Sequence, residues 1–225
     1  MFHVKHPMQL SDLFDFLKAS KYPISKEQIS LFEQYINLIR KWSSRVRLIS
    51  NNDLDHIVER HILPCLLLHY NIEINKEADL LDIGSGAGFP GLVLKIMQPD
   101  LKVVLLDSVR KKCLFLREVS ESLKIECDLI CQRAEYYNQK QVRQFDVVVN
   151  RAVAPLDVLW SWAQPILKEG GLFFAMKGGD CSDEIAAIHM NKIATEVVYP
   201  SNNWIEFSRF LKGKTIIKIV NPLLI

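Results

Sequence analysis

The chain has 225 residues, 49% of them hydrophobic and 24% charged, with a formal net charge of +2. That is enough apolar chain for one sizeable core and unlike a disordered or fibrous sequence. The near-neutral balance neither demands nor excludes a nucleic-acid partner, because local patches matter more than the total. No apolar run approaches membrane-spanning length, and the first residues carry no apolar signal core, so a soluble cytoplasmic protein is expected. The five cysteines are odd in number and scattered, without metal-ligand spacing. They are expected to be free thiols in a reducing compartment, with no metal.

Residues up to about 75 are expected to be helical. Ser25 stands three before Gln28, the spacing of a reciprocal N-terminal box, and Ile29, Phe32, Ile36 and Ile39 then recur on one helical face. A second helical segment covers 53–70, with Pro64 kinking or dividing it. From residue 78 the pattern becomes strand–helix alternation. Strands are expected at 78–83, 102–106, 125–131, 145–149 and 172–176. Helices are expected at 90–97, 109–123, 156–167 and 183–190. Two last strands, 196–199 and 215–220, suit an antiparallel pair. The order predicts a doubly wound, Rossmann-like α/β sheet over residues 76–225 behind an N-terminal helical extension, 1–75.

The densest information lies in Asp82-Ile83-Gly84-Ser85-Gly86-Ala87-Gly88-Phe89-Pro90-Gly91, where an apolar strand breaks into four glycines within eight residues. Such a loop holds a nucleotide-like cofactor at the carboxyl end of a parallel sheet. Gly86-x-Gly88-x-x-Gly91 also fits the dinucleotide fingerprint, with Asp107 about 20 residues on as a ribose-binding acid, so a nicotinamide- or flavin-dependent oxidoreductase is a rival. Two details favour S-adenosylmethionine. Asp82 sits where a carboxylate repels a pyrophosphate but suits an ammonium, directly or through water. No basic residue lies in the loop. On this reading Gly84 and Gly86 let backbone approach the ligand. Asp107 accepts both ribose hydroxyls, and Ala134 and Glu135 flank the adenine. Arg151 is either structural, paired to Asp146 or Asp157, or contacts cofactor or target.

The loop just quoted, Leu106-Asp107-Ser108 with Lys111-Lys112 and Phe115-Leu116, and Asn150-Arg151-Ala152-Val153-Ala154 resemble the bacterial small-subunit ribosomal RNA guanine-N7 methyltransferases, also known as glucose-inhibited division protein B. The likeness covers nearly the whole chain, including Phe2-His3-Val4-Lys5-His6, Lys41-Trp42, Leu48 and Arg60-His61-Ile62. It implies a class I S-adenosylmethionine-dependent methyltransferase fold and methyl transfer to N7 of one guanosine in 16S rRNA, in a decoding-region loop of the small ribosomal subunit. By matching positions it implies that Gly84 and Phe89 line the methionine and adenosine side, that Ala134 and Glu135 hold the adenine end, and that Arg151 closes the site. The family often shows W-N-x-x-x-N-L and R-H-x-x-D-S. Here Ser43, Arg47, Pro64 and Cys65 stand at the departing positions.

Guanine N7 carries an in-plane lone pair and needs no deprotonation, so alignment and water exclusion suffice, and no catalytic acid or base is assigned. Arg151 is the one positioning residue named. The adenine-N6 signature N-P-P-[YF] is missing after Asn150, and Cys65 is expected to be a buried apolar residue rather than a nucleophile. His61 is expected to be a core or hydrogen-bonded histidine. Basic clusters at Arg40, Lys41, Arg45 and Arg47, at Arg110, Lys111, Lys112 and Arg117, at Lys177, and at Lys212, Lys214 and Lys218 are candidate phosphate contacts. A monomer is the default. Other acceptors, and a non-enzymatic ribosome-assembly factor, stay open as alternatives.

Overall fold

The structure, a computed structural model, describes residues 7–137, 143–151, 153–190 and 193–222. Residues 2–6 and Ala152, which carry part of the family likeness, lie outside them. Two helices open the chain, α1 (Leu10–Leu17) and α2 (Lys26–Ser43). α2 starts as its sequence dictates. Ser25 Oγ accepts from the Gln28 amide at 3.2 Å, and Gln28 Oε1 accepts from the Ser25 amide at 2.8 Å. Phe32, Tyr35, Ile36 and Ile39 form its buried face, with Ile29 half-buried beside them.

The expected 53–70 helix is more broken than its periodicity suggests. A 3₁₀ turn at Asn51–Asp53 comes first, then a wide turn of π type at Val58–Ile62, and only then α3 (Leu63–Asn71). Pro64, in the first turn of α3, has no N–H to return to the carbonyl of Arg60. The widened turn is where that irregularity is absorbed.

The remaining elements alternate: β1 (Asp79–Ile83), α4 (Gly91–Met97), β2 (Lys102–Asp107), α5 (Arg110–Leu123), β3 (Asp128–Cys131), α6 (Ala134–Tyr137), β4 (Phe145–Arg151), α7 (Leu156–Ala163), β5 (Leu167–Gly178), α8 (Ser182–Met190), β6 (Thr195–Val198), α9 (Asn202–Phe207) and β7 (Lys214–Val220). They build one sheet in the order β3-β2-β1-β4-β5-β7-β6. The first five strands are parallel, and β7 runs antiparallel to both β5 and β6. The order reverses between β1 and β4, and that is where ligands bind in such sheets.

Residues of period two divide the core. Leu80, Val103 and Val147 face α2 to α5, while Leu81, Val104 and Val148 face α7 and α8. The first cluster runs from Met8, just before α1, to Ile216 in β7.

Two strand starts differ from expectation. β3 starts at Asp128 rather than 125 because Lys124, left-handed at φ 53°, ends α5, and the Ile125 amide returns to Ser120 O at 3.0 Å. β5 starts at Leu167 because Asn221 reaches back from beyond β7. Its side-chain amide donates to the carbonyls of Leu167 and Lys168, each at 3.1 Å. The short α6 and α9 were not expected. Among the described residues no helix is long and apolar enough to cross a membrane.

Candidate cofactor and substrate site

The carboxyl ends of β1, β2 and β4 and the turn after β3 open on a cavity of about 570 Å³, the size of a small-molecule site. Gly84, Gly86, Phe89, Asp107, Ala134, Glu135 and Arg151 all line it. Segments far apart in the chain thus meet at the switch point of the sheet.

The glycine loop is built for closeness. Gly88 has φ +96°, and a Cβ there would sit 2.4 Å from Leu92 Cδ1 and 2.8 Å from the Tyr35 hydroxyl. Tyr35 donates that hydroxyl proton to the carbonyl of Ala87, tying α2 to the loop. Gly86 has φ +57°, yet a Cβ there would find nothing nearer than 3.8 Å. Its open side faces the ligand space that its residue lines.

Asp107 is held ready. Oδ2 accepts from the Gly86 amide at 2.9 Å and Oδ1 from the Val109 amide at 2.8 Å. Each carboxylate oxygen keeps a lone pair for a further donor, so two vicinal hydroxyls can be taken. The Gln132 amide donates to the Asp107 carbonyl at 3.1 Å, which sets residues 132–135 against the same carboxylate.

Asp82 departs from expectation. It sits at the end of β1 but is fully buried beneath the loop and does not line the cavity. Its Oδ2 accepts from the Gly91 amide at 2.9 Å, and its buried Oδ1 has no partner among the described residues. Burial pushes its carboxyl up to about 7. Two consequences bear on the cofactor. The first turn of α4 spends an amide on this carboxylate, where a pyrophosphate would need bare N–H groups. The unpartnered oxygen, one residue behind the wall at Ile83, is suited instead to a cation brought into the cavity. The residues therefore fit S-adenosylmethionine, which bears two cations and no phosphate, and fit a dinucleotide badly.

Arg151 is paired to neither Asp146 nor Asp157. Nη2 donates to the Arg60 carbonyl at 2.7 Å and Nη1 to the His61 carbonyl at 3.2 Å. It thereby satisfies the carbonyl that Pro64 leaves without a helical donor. Asp146 instead takes the Lys168 ammonium at 2.9 Å and the Asp79 amide at 2.9 Å. Cys65 is fully buried, as expected of an apolar residue, and burial pushes its thiol up to about 12.

His61 is hydrogen-bonded as expected, its Nε2 lying 3.4 Å from Asp53 Oδ2, but it also forms part of the cavity wall. It stacks on Phe89, the ring centroids 5.1 Å apart at 28°. Burial, with the Arg151 cation second, lowers it to about 4, so the imidazole is neutral at physiological pH. Leu48, Ile49, Val153 and Trp162 also line the cavity and were not singled out from sequence. Only Leu48 and Val153 carried a signal, as parts of the family likeness.

The profile described as "rRNA small subunit methyltransferase G" matches residues 28–203. Similar curated proteins include "Ribosomal RNA small subunit methyltransferase G" of Clostridium tetani, 37% identical over 71% of this chain and 68% of that protein. The protein of the same name from Exiguobacterium sp. is 35% identical over 80% of this chain and 76% of its own length. Among solved structures, the plantazolicin methyltransferase BpumL in complex with SAH superposes with a TM-score of 0.57 at 13% identity, covering 88% of this chain and all of that one. Aeropyrum pernix fibrillarin with natively bound S-adenosyl-L-methionine gives 0.54 at 17% identity, over 70% of this chain and 74% of that one. The sheet is thus that of the class I methyltransferases, and the chain belongs to the rRNA small subunit methyltransferase G family.

Proposed function

We propose that the protein transfers a methyl group from S-adenosylmethionine to N7 of one guanosine in 16S rRNA of the small ribosomal subunit. The observation that carries this reading is the family match over residues 28–203, whose motif segments converge on one cavity. S-adenosylmethionine supplies an activated methyl on a sulfonium. Asp107 receives the ribose hydroxyls, Ala134 and Glu135 flank the adenine, and Gly84 and Gly86 give backbone approach. Phe89 lines the methionine and adenosine side with Gly84, and Arg151 closes the site. Asp82 stabilises positive charge from beneath the loop without direct contact.

The acceptor needs an aligned lone pair rather than a base. A neutral His61 suits this, because an imidazolium there would oppose the charge that develops on guanine as N7 is alkylated. The free thiols fit a cytoplasmic setting, and a monomer is part of the same reading.

The test uses labelled S-adenosylmethionine and small subunits from cells that lack this protein. Label in 16S rRNA, released by reduction and strand cleavage at one guanosine, is the expected result. Cofactor binding without label in 16S rRNA would redirect the search to another acceptor.

A further inference from the structure

Three of the candidate phosphate-binding lysines are engaged by carboxylates. Lys177 meets Glu184 at 2.7 Å, Lys218 meets Glu196 at 2.7 Å and Lys41 meets Glu118 at 2.9 Å. Lys214 differs. Among the described residues it has no carboxylate within 4.0 Å, and its Nζ lies 4.5 Å from the centroid of the Phe210 ring. The Arg60 guanidinium lies 5.9 Å from that same centroid, and the Arg60 carbonyl is the one that fixes Arg151.

The sheet register brings these cations to one edge. Arg151 ends β4 opposite Met176 of β5, and two residues further along β5, Gly178 is opposite Lys214 at the start of β7. The Lys214 side chain lies close over Gly178, its Nζ 3.1 Å from where a Cβ of that residue would stand. Arg151 likewise has no carboxylate partner among the described residues; it is held by bonds to two backbone carbonyls, by the Cys65 sulfur at 4.0 Å and by the Phe89 ring, whose centroid is 5.8 Å away. Two positive groups are therefore held near one another uncompensated. Burial and the Arg151 cation hold Lys214 below the ordinary lysine value. A bound anion turns that repulsion into attraction.

We propose that Lys214 and Arg151 form a phosphate-binding pair at the cavity mouth, gripping the RNA backbone beside the guanosine that enters the cavity. Arg151 belongs to the cavity wall while Lys214 lies outside it, so the pair spans from the site to the surface over which the strand must run. Phe210 holds the ammonium over its face, limiting the entropy lost when the phosphate arrives. Lys214 acts as a positioning residue, and the inference rests on the RNA reading above.

The experiment compares wild type, Lys214→Ala, Lys214→Gln and Lys214→Arg. Affinity for unmodified small subunits is measured between about 50 and 200 mM salt, with S-adenosylmethionine affinity measured alongside by calorimetry. Both neutral variants are expected to bind subunits several-fold more weakly and to lower the slope of log K against log salt by about 0.7–0.9. Lys214→Arg should restore the slope, and all four proteins should bind S-adenosylmethionine within twofold of each other. In turnover the neutral variants should raise KM for subunits and leave kcat unchanged. An unaltered salt slope in both folded neutral variants would overturn the proposal. A parallel loss of cofactor affinity would also overturn it and assign the anion to the cofactor's carboxylate. If wild type binds the cofactor but no subunits, the RNA reading itself fails, and this inference with it.

Discussion

Asp107 carries both a structural and a ligand duty, because the same carboxylate oxygens cap the amides of Gly86 and Val109 and face the cavity. Asp107→Ala is expected to weaken S-adenosylmethionine binding by at least tenfold, since a charge-assisted hydrogen bond contributes about 1.5–3 kcal/mol. Calorimetry reads the affinity, and a melting curve checks the fold. Retained affinity would remove Asp107 from the ribose role. The glycines separate the same two duties. Gly88→Ala pushes a methyl into Leu92 and the Tyr35 hydroxyl, so it should lower stability by several kcal/mol. Gly86→Ala meets no neighbour, so it should cost only about 1–2 kcal/mol of left-handed strain while still obstructing the ligand. Of the site, the glycine run and Asp107 were legible because their spacing is local and repeats a known geometry. Asp82 was misjudged in its reach. Sequence places it at a strand end, but only the fold shows that its oxygen turns back to the Gly91 amide. Trp162 and Ile49 were invisible because nothing local marks a residue that long-range packing brings to a wall.

α2 acts on the site from a distance through Tyr35, whose ring is fully buried and whose hydroxyl proton goes to the Ala87 carbonyl. Tyr35→Phe keeps the packing and removes that bond. It is expected to cost about 1 kcal/mol of stability and to weaken cofactor binding modestly by loosening the loop, both measurable by melting with and without S-adenosylmethionine. A variant that melts normally and shifts normally with ligand would mean that the loop holds its own shape. The helical extension was legible as helix because the apolar stripe of α2 and its Ser25 box are strong local signals. The turn at Val58–Ile62 was not legible beyond a break at Pro64. Its shape depends on Arg151, about 90 residues away, donating to the carbonyls of Arg60 and His61. The early start of β5 fails to show in sequence for the same reason, since Asn221 supplies its carbonyls with donors from the far end of the fold.

One core cluster joins α1 and α2 to the strands, so residues 1–75 are proposed to be an extension that cannot be removed without exposing the sheet. The same wholeness makes the pH dependence of stability a sum of opposed titrations. His61 is lowered from 6.5 to about 4 by burial first and by Arg151 second. As pH falls below 6.5 the unfolded chain binds a proton there that the folded protein does not, so stability is lost down to about pH 4. Asp82 is raised by burial from 3.8 to about 7, with Asp107 adding repulsion. The folded protein keeps that proton while the unfolded chain gives it up, so stability declines as pH rises from about 4 to 7. The two slopes oppose each other over the same interval, and the wild-type profile should be flatter there than either group alone would make it. Single variants should separate them. Relative to wild type, His61→Asn should gain in melting temperature on going from pH 7.5 to 5, and Asp82→Asn should lose. Melting curves across that range for the three proteins decide the matter. Curves that stay parallel would mean that neither buried group changes its proton affinity on folding. A bound ligand cation should then act on one slope only. Favouring the ionised Asp82, it should remove the fall in stability towards neutral pH and leave the acid-side loss from His61 in place.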